Sequence, residues 1–238
     1  MKIGIQLYSV RDALAQDFEG TLERLAAFGY EGVESFGQFR SAGETRQVLD
    51  GLGLEALGRH AAFEALVQGL EGELEFCLEL GAPYLVCAWS KAGAAWPWPR
   101  VAEELGRMAE RAEAHGLKFA YHNHAHELLE RVEGAPALDL LLAQPRVHAE
   151  LDVAWLHAGG VDPAQYVRRY AARTPLLHVK DVARKGERWE TVELGHGEVN
   201  LSAALAAAQP RWLVVEQDHS PDPLGSARRN LEALRELL

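Results

Sequence analysis

The chain has 238 residues, of which 48% are hydrophobic and 25% charged, and a formal net charge of −11. That length can bury a large core, and α/β barrels reach it undivided. The acidic balance argues against nucleic acid as a partner, since phosphate neutralisation needs lysine and arginine on one face. No apolar run approaches the roughly 18 residues of a membrane span, so no membrane role is expected.

In chain order, MKIGIQLYSV has the character of a first strand and not of a signal peptide, since no cleavage-site pattern follows a long apolar stretch. Residues 12–28 place Leu14, Phe18, Leu22 and Leu25 on one helical stripe that Gly29 stops. EGVES follows Gly29, LEALG follows Gly53 and APYLVC follows Gly81, each an apolar run after a glycine stop. A second helix over 99–115 carries Val101, Leu105, Met108 and Ala112, and beyond Gly116 comes LKFAYH. RVHAELD, LLHVK and RWLVVE start beside Pro145, Pro175 and Pro210, and the last helix, 226–238, carries Leu231, Leu234 and Leu238. The two cysteines, Cys77 and Cys87, form no metal or redox motif. That fits a reducing compartment, and a soluble cytoplasmic protein is the expectation.

Eight apolar strand candidates, each followed by a helical or loop segment, imply a parallel sheet buried on both faces. The expected fold is α/β, a single (β/α)8 TIM barrel forming one domain over residues 1–238. The competing arrangement is an open doubly wound sheet. No G-x-G-x-x-G follows the first strand, so its usual dinucleotide site lacks support.

In a parallel barrel, reactive groups gather at the C-terminal strand ends. Gln6, Glu34, His60, His122, His124, Asp152, His178, Lys180 and Glu216 all fall at or just past such ends, and only His115 and His148 of the ten histidines lie elsewhere. Residues two apart on a strand share a face, which pairs Glu150 with Asp152, His178 with Lys180, and His122 with His124. Charged pairs pointing into a barrel are costly unless they bind something. Carboxylates with one imidazole suit a divalent cation: manganese is favoured, with magnesium, cobalt or zinc also open.

The stretches YHNHAHEL, ELDVAWLHAGGVDP, LLHVKD, LGHGEVN and VVEQD, with GIQLYSVR at the start, resemble the xylose isomerase-like TIM barrel superfamily, in its sugar phosphate isomerase/epimerase branch. The resemblance covers essentially the whole chain. It implies one divalent ion held by Glu127, Asp152, His178 and Glu216. It also implies a proton moved beside a sugar carbonyl through an enediolate, with Glu127 and Glu216 exchanging the proton. Two departures stand out. Glu127 lies one residue further along than the matching glutamate of the family, so His122 or His124 is an alternative ligand. Trp155 stands where many relatives carry a histidine.

Further expectations attach to single residues. His122 and His124 contact substrate, His124 as an acid–base group. Lys180 holds a substrate oxygen or else neutralises Glu150, itself a supporting group. His60 and Glu34 are even candidates for sugar contacts. Trp96 and Trp98 either close over the mouth or anchor their loop. Arg59, Lys91, Arg184 and Lys185 are candidate phosphate partners. The implied activity is a metal-dependent sugar isomerase or epimerase acting on a ketose or sugar phosphate. The alternative is a lyase of the inosose dehydratase or 3-keto-glycoside-cleaving type. An endonuclease IV-like repair enzyme, which would need three zinc ions and a basic face, and a non-catalytic sugar-binding barrel rank lower. Barrels of this family often pair, so a homodimer is possible.

Overall fold

The computed structural model describes residues 1–238. Eight parallel strands close into a barrel: β1 (Lys2–Gln6), β2 (Gly32–Phe36), β3 (Glu55–Ala62), β4 (Tyr84–Trp89), β5 (Lys118–His122), β6 (Val147–Asp152), β7 (Leu176–Val179) and β8 (Trp212–Val215). They follow one another round the ring in chain order, and β8 closes it by pairing with β1 over Lys2↔Trp212 to Ile5↔Val215. All eight coincide with the eight apolar runs, so the closed barrel is the fold and the open sheet is not.

Two apolar regions hold it. Between strands and helices lies a core of 58 buried residues; inside the barrel, Leu57, Tyr84, Val86, Ala120, Leu176, Trp212 and Val214 form a separate plug. Trp212 and Leu57 fit at the bottom because β1 and β2 present Gly4 and Gly32 there. A Cβ on Gly4 would sit 2.3 Å from Leu57 Cδ1, and one on Gly32 2.8 Å from Leu57 Cδ2. Above the plug the inward positions turn abruptly polar, and that change of layer is where the site lies.

The helical expectation over 12–28 needs correction. The segment is two helices, Arg11–Gln16 and Phe18–Phe28, broken at Asp17, whose backbone is extended (φ −150°) while its carboxylate accepts the Gly20 N–H at 3.0 Å. The aspartate is an N-cap, and a cap residue is non-helical by construction. The helices Trp98–Ala114 and Pro223–Leu237 match their expected positions within a few residues.

After β7 the chain forms an antiparallel hairpin, Asp181–Lys185 with Arg188–Val192, where the sequence pattern shows only a loop. The hairpin and the following glycine loop are tied down by Asp181, whose buried carboxylate accepts the N–H groups of Val182, Gly195, Gly197 and Val199 at 2.9–3.1 Å. A Cβ on Gly197 would lie 2.2 Å from Asp181 Oδ1 and 2.5 Å from the Val182 carbonyl oxygen. Gly197→Ala is therefore expected to cost roughly 1–3 kcal/mol. A urea midpoint equal to that of the parent chain would show that the loop has room the geometry denies it.

Candidate active site

The polar layer is built by β2, β3 and β5 to β8. Glu34, His122, Glu150, Asp152, His178 and Lys180 are buried, and His60 and Glu216 nearly so. Register does this: His122 lies beside Glu150, and Asp152 beside His178, on adjacent strands.

Two sets of donor atoms converge, each within 4.8 Å: His60, His122, Glu150 and His178, and, towards the mouth, His122, Asp152, His178 and Glu216. In the lower set, Glu34 and Glu150 bracket His60, whose Nε2 is 2.9 Å from Glu34 Oε2 and 2.6 Å from Glu150 Oε2. His178 reaches Glu34 through Nε2 at 2.9 Å and Glu216 through Nδ1 at 3.0 Å. Gln6 adds a hydrogen bond to Glu34 at 2.9 Å.

Burial works against charge throughout this layer, and the contacts decide which groups carry it. His60 is pushed up to about 10, because the carboxylates of Glu34 and Glu150 outweigh its desolvation. His178 rises well above the usual range in the same way, through Glu150, Glu216 and Glu34. Burial raises Glu150 to about 7, with the charge of Glu34 adding to it. His122 goes the other way. Burial and then the positive charge of His178, His124, His60 and Lys180 hold it well below the usual range. A neutral imidazole is the form a metal ion needs.

Orphaned atoms provide a test of whether a cation fits. His122 Nδ1 and Asp152 Oδ2 are buried without a hydrogen-bond partner. Each has a charged neighbour, Glu150 at 3.3 Å and Lys180 at 3.2 Å, but neither contact is aligned as a hydrogen bond. Both residues belong to the upper set, and His122 to the lower one as well. The other two members of the upper set, His178 and Glu216, contact each other at 3.0 Å, a contact that an ion would replace; two imidazoles and two carboxylates are a donor set that can hold a divalent ion.

Glu127, expected as the strand 5 ligand, belongs to neither set. It is fully buried, and its carboxylate accepts the Tyr121 hydroxyl at 2.8 Å and the His124 N–H at 2.9 Å. It is thus neither in the constellation nor an exposed helix-start residue, and His122 stands in the fourth place. Of the two roles expected of Lys180, the pairing with Glu150 is not formed. Its ammonium group contacts Glu216 at 2.7 Å, Asp218 at 3.0 Å and Asp152 at 3.2 Å, and not Glu150.

Above this layer opens a cavity of about 1280 Å³. Of the expected site residues, His60, His122, His124, Trp155, Lys180 and Glu216 line it, whereas Asp152, His178 and Glu150 lie beneath and Glu127 to one side. Glu216 is the one carboxylate that both belongs to a metal-type constellation and faces the cavity. His124 stacks on Trp155 with ring centroids 5.7 Å apart, and Lys180 Nζ lies 5.3 Å from the Trp155 ring centroid. Burial, followed by the charge of Lys180, pushes His124 down to about 3.

Trp96 and Trp98 do not line the cavity. Trp98 is buried with its Nε1 donating to Glu130, and Trp96 packs edge-on against Phe63 at 5.0 Å, so both anchor their loop. The aromatic walls are Trp89, Trp155 and Trp189 instead, and His196 and His219 also reach the lining. Trp189 carries no signal in the sequence, because only the hairpin places it at the mouth, whereas Asp218 is the last residue of VVEQD and what the motif does not show is its contact with Lys180 at 3.0 Å.

A parallel eight-stranded barrel with a histidine–carboxylate constellation under a cavity at its C-terminal face has the architecture of a (β/α)8 enzyme. The chain belongs to the xylose isomerase-like TIM barrel family, whose model matches residues 22–237. It is 34% identical over 85 residues, 36% of its length, to an inosose dehydratase of Geobacillus kaustophilus. It is 27% identical over 91% of its length to the rhizopine catabolism protein MocC of Rhizobium meliloti, covering 80% of that protein. The aligned parts span only 28% to 54% of the inosose dehydratases it matches. By structure it is similar to a sugar phosphate isomerase/epimerase from Parabacteroides distasonis (TM-score 0.82, 23% identity, 98% of this chain and 93% of that one). It is also similar to an IolI protein solved with a zinc atom (TM-score 0.80, 16% identity, 100% and 98%). At those identities the structural likeness speaks for the fold alone.

Proposed function

We propose that the protein is a metal-dependent sugar isomerase that takes a proton from carbon beside the carbonyl of a ketose or polyol ketone and returns it to the neighbouring carbon through an enediolate. Glu216 is the base; its position in both the cation constellation and the cavity wall is the observation that carries this reading. His122, Asp152, His178 and Glu216 would hold the ion, which when bound supplies Lewis-acid polarisation of the carbonyl and the adjacent hydroxyl. His124, held neutral, offers substrate hydroxyls a hydrogen-bonding imidazole and is a poor source of protons. The charge of Lys180 holds Glu216 well below the usual carboxylate range and partly offsets the burial that raises Asp152. Epimerisation needs a second acid–base group on the opposite substrate face. Glu127, held by the Tyr121 hydroxyl and the His124 N–H outside the cavity lining, is poorly placed for that role, which favours isomerisation by one base.

Elimination of a β-hydroxyl from the same enediolate is the second reading, supported by the MocC and inosose dehydratase matches. It needs a proton delivered to the leaving oxygen; of the candidate donors at the mouth, His124 is held neutral, Lys180 is bound by three carboxylates and His60 by two.

Incubating the manganese-loaded protein with ketoses and cyclic polyol ketones in heavy water separates the readings. Isomerisation incorporates deuterium at carbon with no change of mass beyond the exchange, whereas elimination lowers product mass by one water. Stripping the metal with a chelator is expected to abolish either signal, and manganese to restore it. Carbon exchange at an undiminished rate in the chelated protein would end the metal-dependent proposal.

A further inference from the structure

We propose that the substrate is an uncharged polyol or keto-sugar and not a sugar phosphate, because both places where this barrel would grip a phosphate are already filled by the chain's own carboxylates. The inference rests on the cavity being the active site and sharpens the reading above.

Barrels of this architecture commonly hold a phosphate on the loops after the seventh and eighth strands, using backbone N–H groups and a helix N-terminus. Here the loop after β7 does present converging N–H groups, those of Gly195, Gly197, Val199 and Val182, but they converge on the buried carboxylate of Asp181. Since Gly197 approaches Asp181 so closely that even a methyl group has no space, no phosphate enters that ring of donors. After β8, the helix Pro223–Leu237 begins at the cavity, with Pro221 and Pro223 in its lining. Its N-terminus is closed by Asp222. The side chain accepts the Gly225 N–H at 3.1 Å, the main-chain oxygen accepts the Ser226 N–H at 2.8 Å, and Pro223 has no N–H to give.

No cation is left over to compensate. Lys180 is surrounded by Asp152, Glu216 and Asp218. Arg11 donates to the carbonyl oxygens of Tyr8 and Asp218 and lies 4.1 Å from the Tyr8 ring centroid. Of the other basic residues near the mouth, Lys91 lies outside the cavity lining and three already have partners. Arg59 pairs with Glu73 at 2.8 Å, Lys185 with Glu190 at 3.0 Å, and Arg184 lies over Trp189. In all, the lining carries five carboxylates, Asp12, Glu190, Glu193, Glu216 and Asp218, against Arg11, Lys180 and His60, with Lys185 and Arg229 pairing with Glu190 and Glu193. Carboxylates facing a ligand disfavour a phosphate, and like charge is an effective way to reject a wrong partner.

What the cavity does provide suits hydroxyl groups. Trp89, Trp155 and Trp189 offer flat apolar faces, and His124 Nδ1 and Trp155 Nε1 are buried polar atoms without partners. Neutral donors and acceptors beside aromatic faces recognise a polyol ring without needing a charge.

The test uses the manganese-loaded full chain and its tryptophan fluorescence, which responds to cavity occupancy independently of turnover. The probes are matched pairs at constant ionic strength: D-fructose against D-fructose 6-phosphate, and myo-inositol against its monophosphate. In at least one pair the unphosphorylated member is expected to bind about tenfold tighter or more, and inorganic phosphate to leave its titration unmoved. Equal or tighter binding of the phosphates, competition by inorganic phosphate, or no binding by either unphosphorylated probe overturns the inference. Selective binding of unphosphorylated probes without carbon exchange in any of them would sink the proposed reaction and leave this inference standing.

Discussion

Lys180→Met is expected to lower the melting temperature of the metal-free protein by about 10 °C or more, and manganese is expected to recover much of that loss. The ammonium group is 1% exposed and is shared by Glu216 at 2.7 Å, Asp218 at 3.0 Å and Asp152 at 3.2 Å. Burial disfavours its charge, yet the three carboxylates hold it protonated well above the usual lysine range. Removing one partner of such a cluster leaves buried anions uncompensated, at a cost of about 3–5 kcal/mol. In a chain of this size each kcal/mol moves the transition by about 2–4 °C. A divalent ion in the upper constellation would supply the missing positive charge to Asp152 and Glu216. Manganese should therefore raise the melting temperature of the variant by more than it raises that of the parent. Thermal scans of both proteins with chelator and with manganese provide the check. Equal metal shifts in the two would mean that Lys180 and the ion do not answer to the same carboxylates.

Glu216→Gln is expected to reduce deuterium incorporation at substrate carbon by roughly 10²–10⁴-fold, the usual contribution of a positioned base. The amide keeps the shape of the side chain and can still meet Lys180 and His178, but it cannot accept a proton from carbon. Burial would by itself raise the carboxyl pKa. The charge of Lys180 and the contact with His178 instead keep it ionised well below the usual range. Losing the charge also removes one of four donors, so the variant should bind manganese more weakly; exchange is therefore compared at saturating metal. By contrast, Glu127→Gln should leave exchange within severalfold of the parent, because Glu127 contacts Tyr121 and a backbone N–H outside the cavity lining. If the Glu127 variant lost exchange and the Glu216 variant kept it, the assignment of the base would be reversed.

The two substitutions also mark where sequence reading succeeds. Glu216 could be placed as the last residue of RWLVVE because a parallel barrel exposes its chemistry at the strand ends. Glu127 shows what local pattern leaves out. Its spacing from YHNH brings it to the same end of the barrel, but a short helix over His126–Leu129 carries it sideways behind Tyr121. Similarly, Asp17 lies within a helical stripe that runs straight through it, and only its cap geometry shows the break.

Local pattern alone determined the eight strands, their order and which residues face inward, because glycine and proline stops set the boundaries and the two-residue period of a strand fixes the faces. Pairings across the ring were decided only in three dimensions. Glu34 and His178 meet at 2.9 Å although 144 positions separate them, because closure and register, and not sequence distance, bring them together. The same holds for the partners of Lys180, for His122 in the fourth place of the constellation, and for Trp189 swung over the mouth on its hairpin. A residue's direction is a local property of its backbone. Its partner is a property of how distant strands line up.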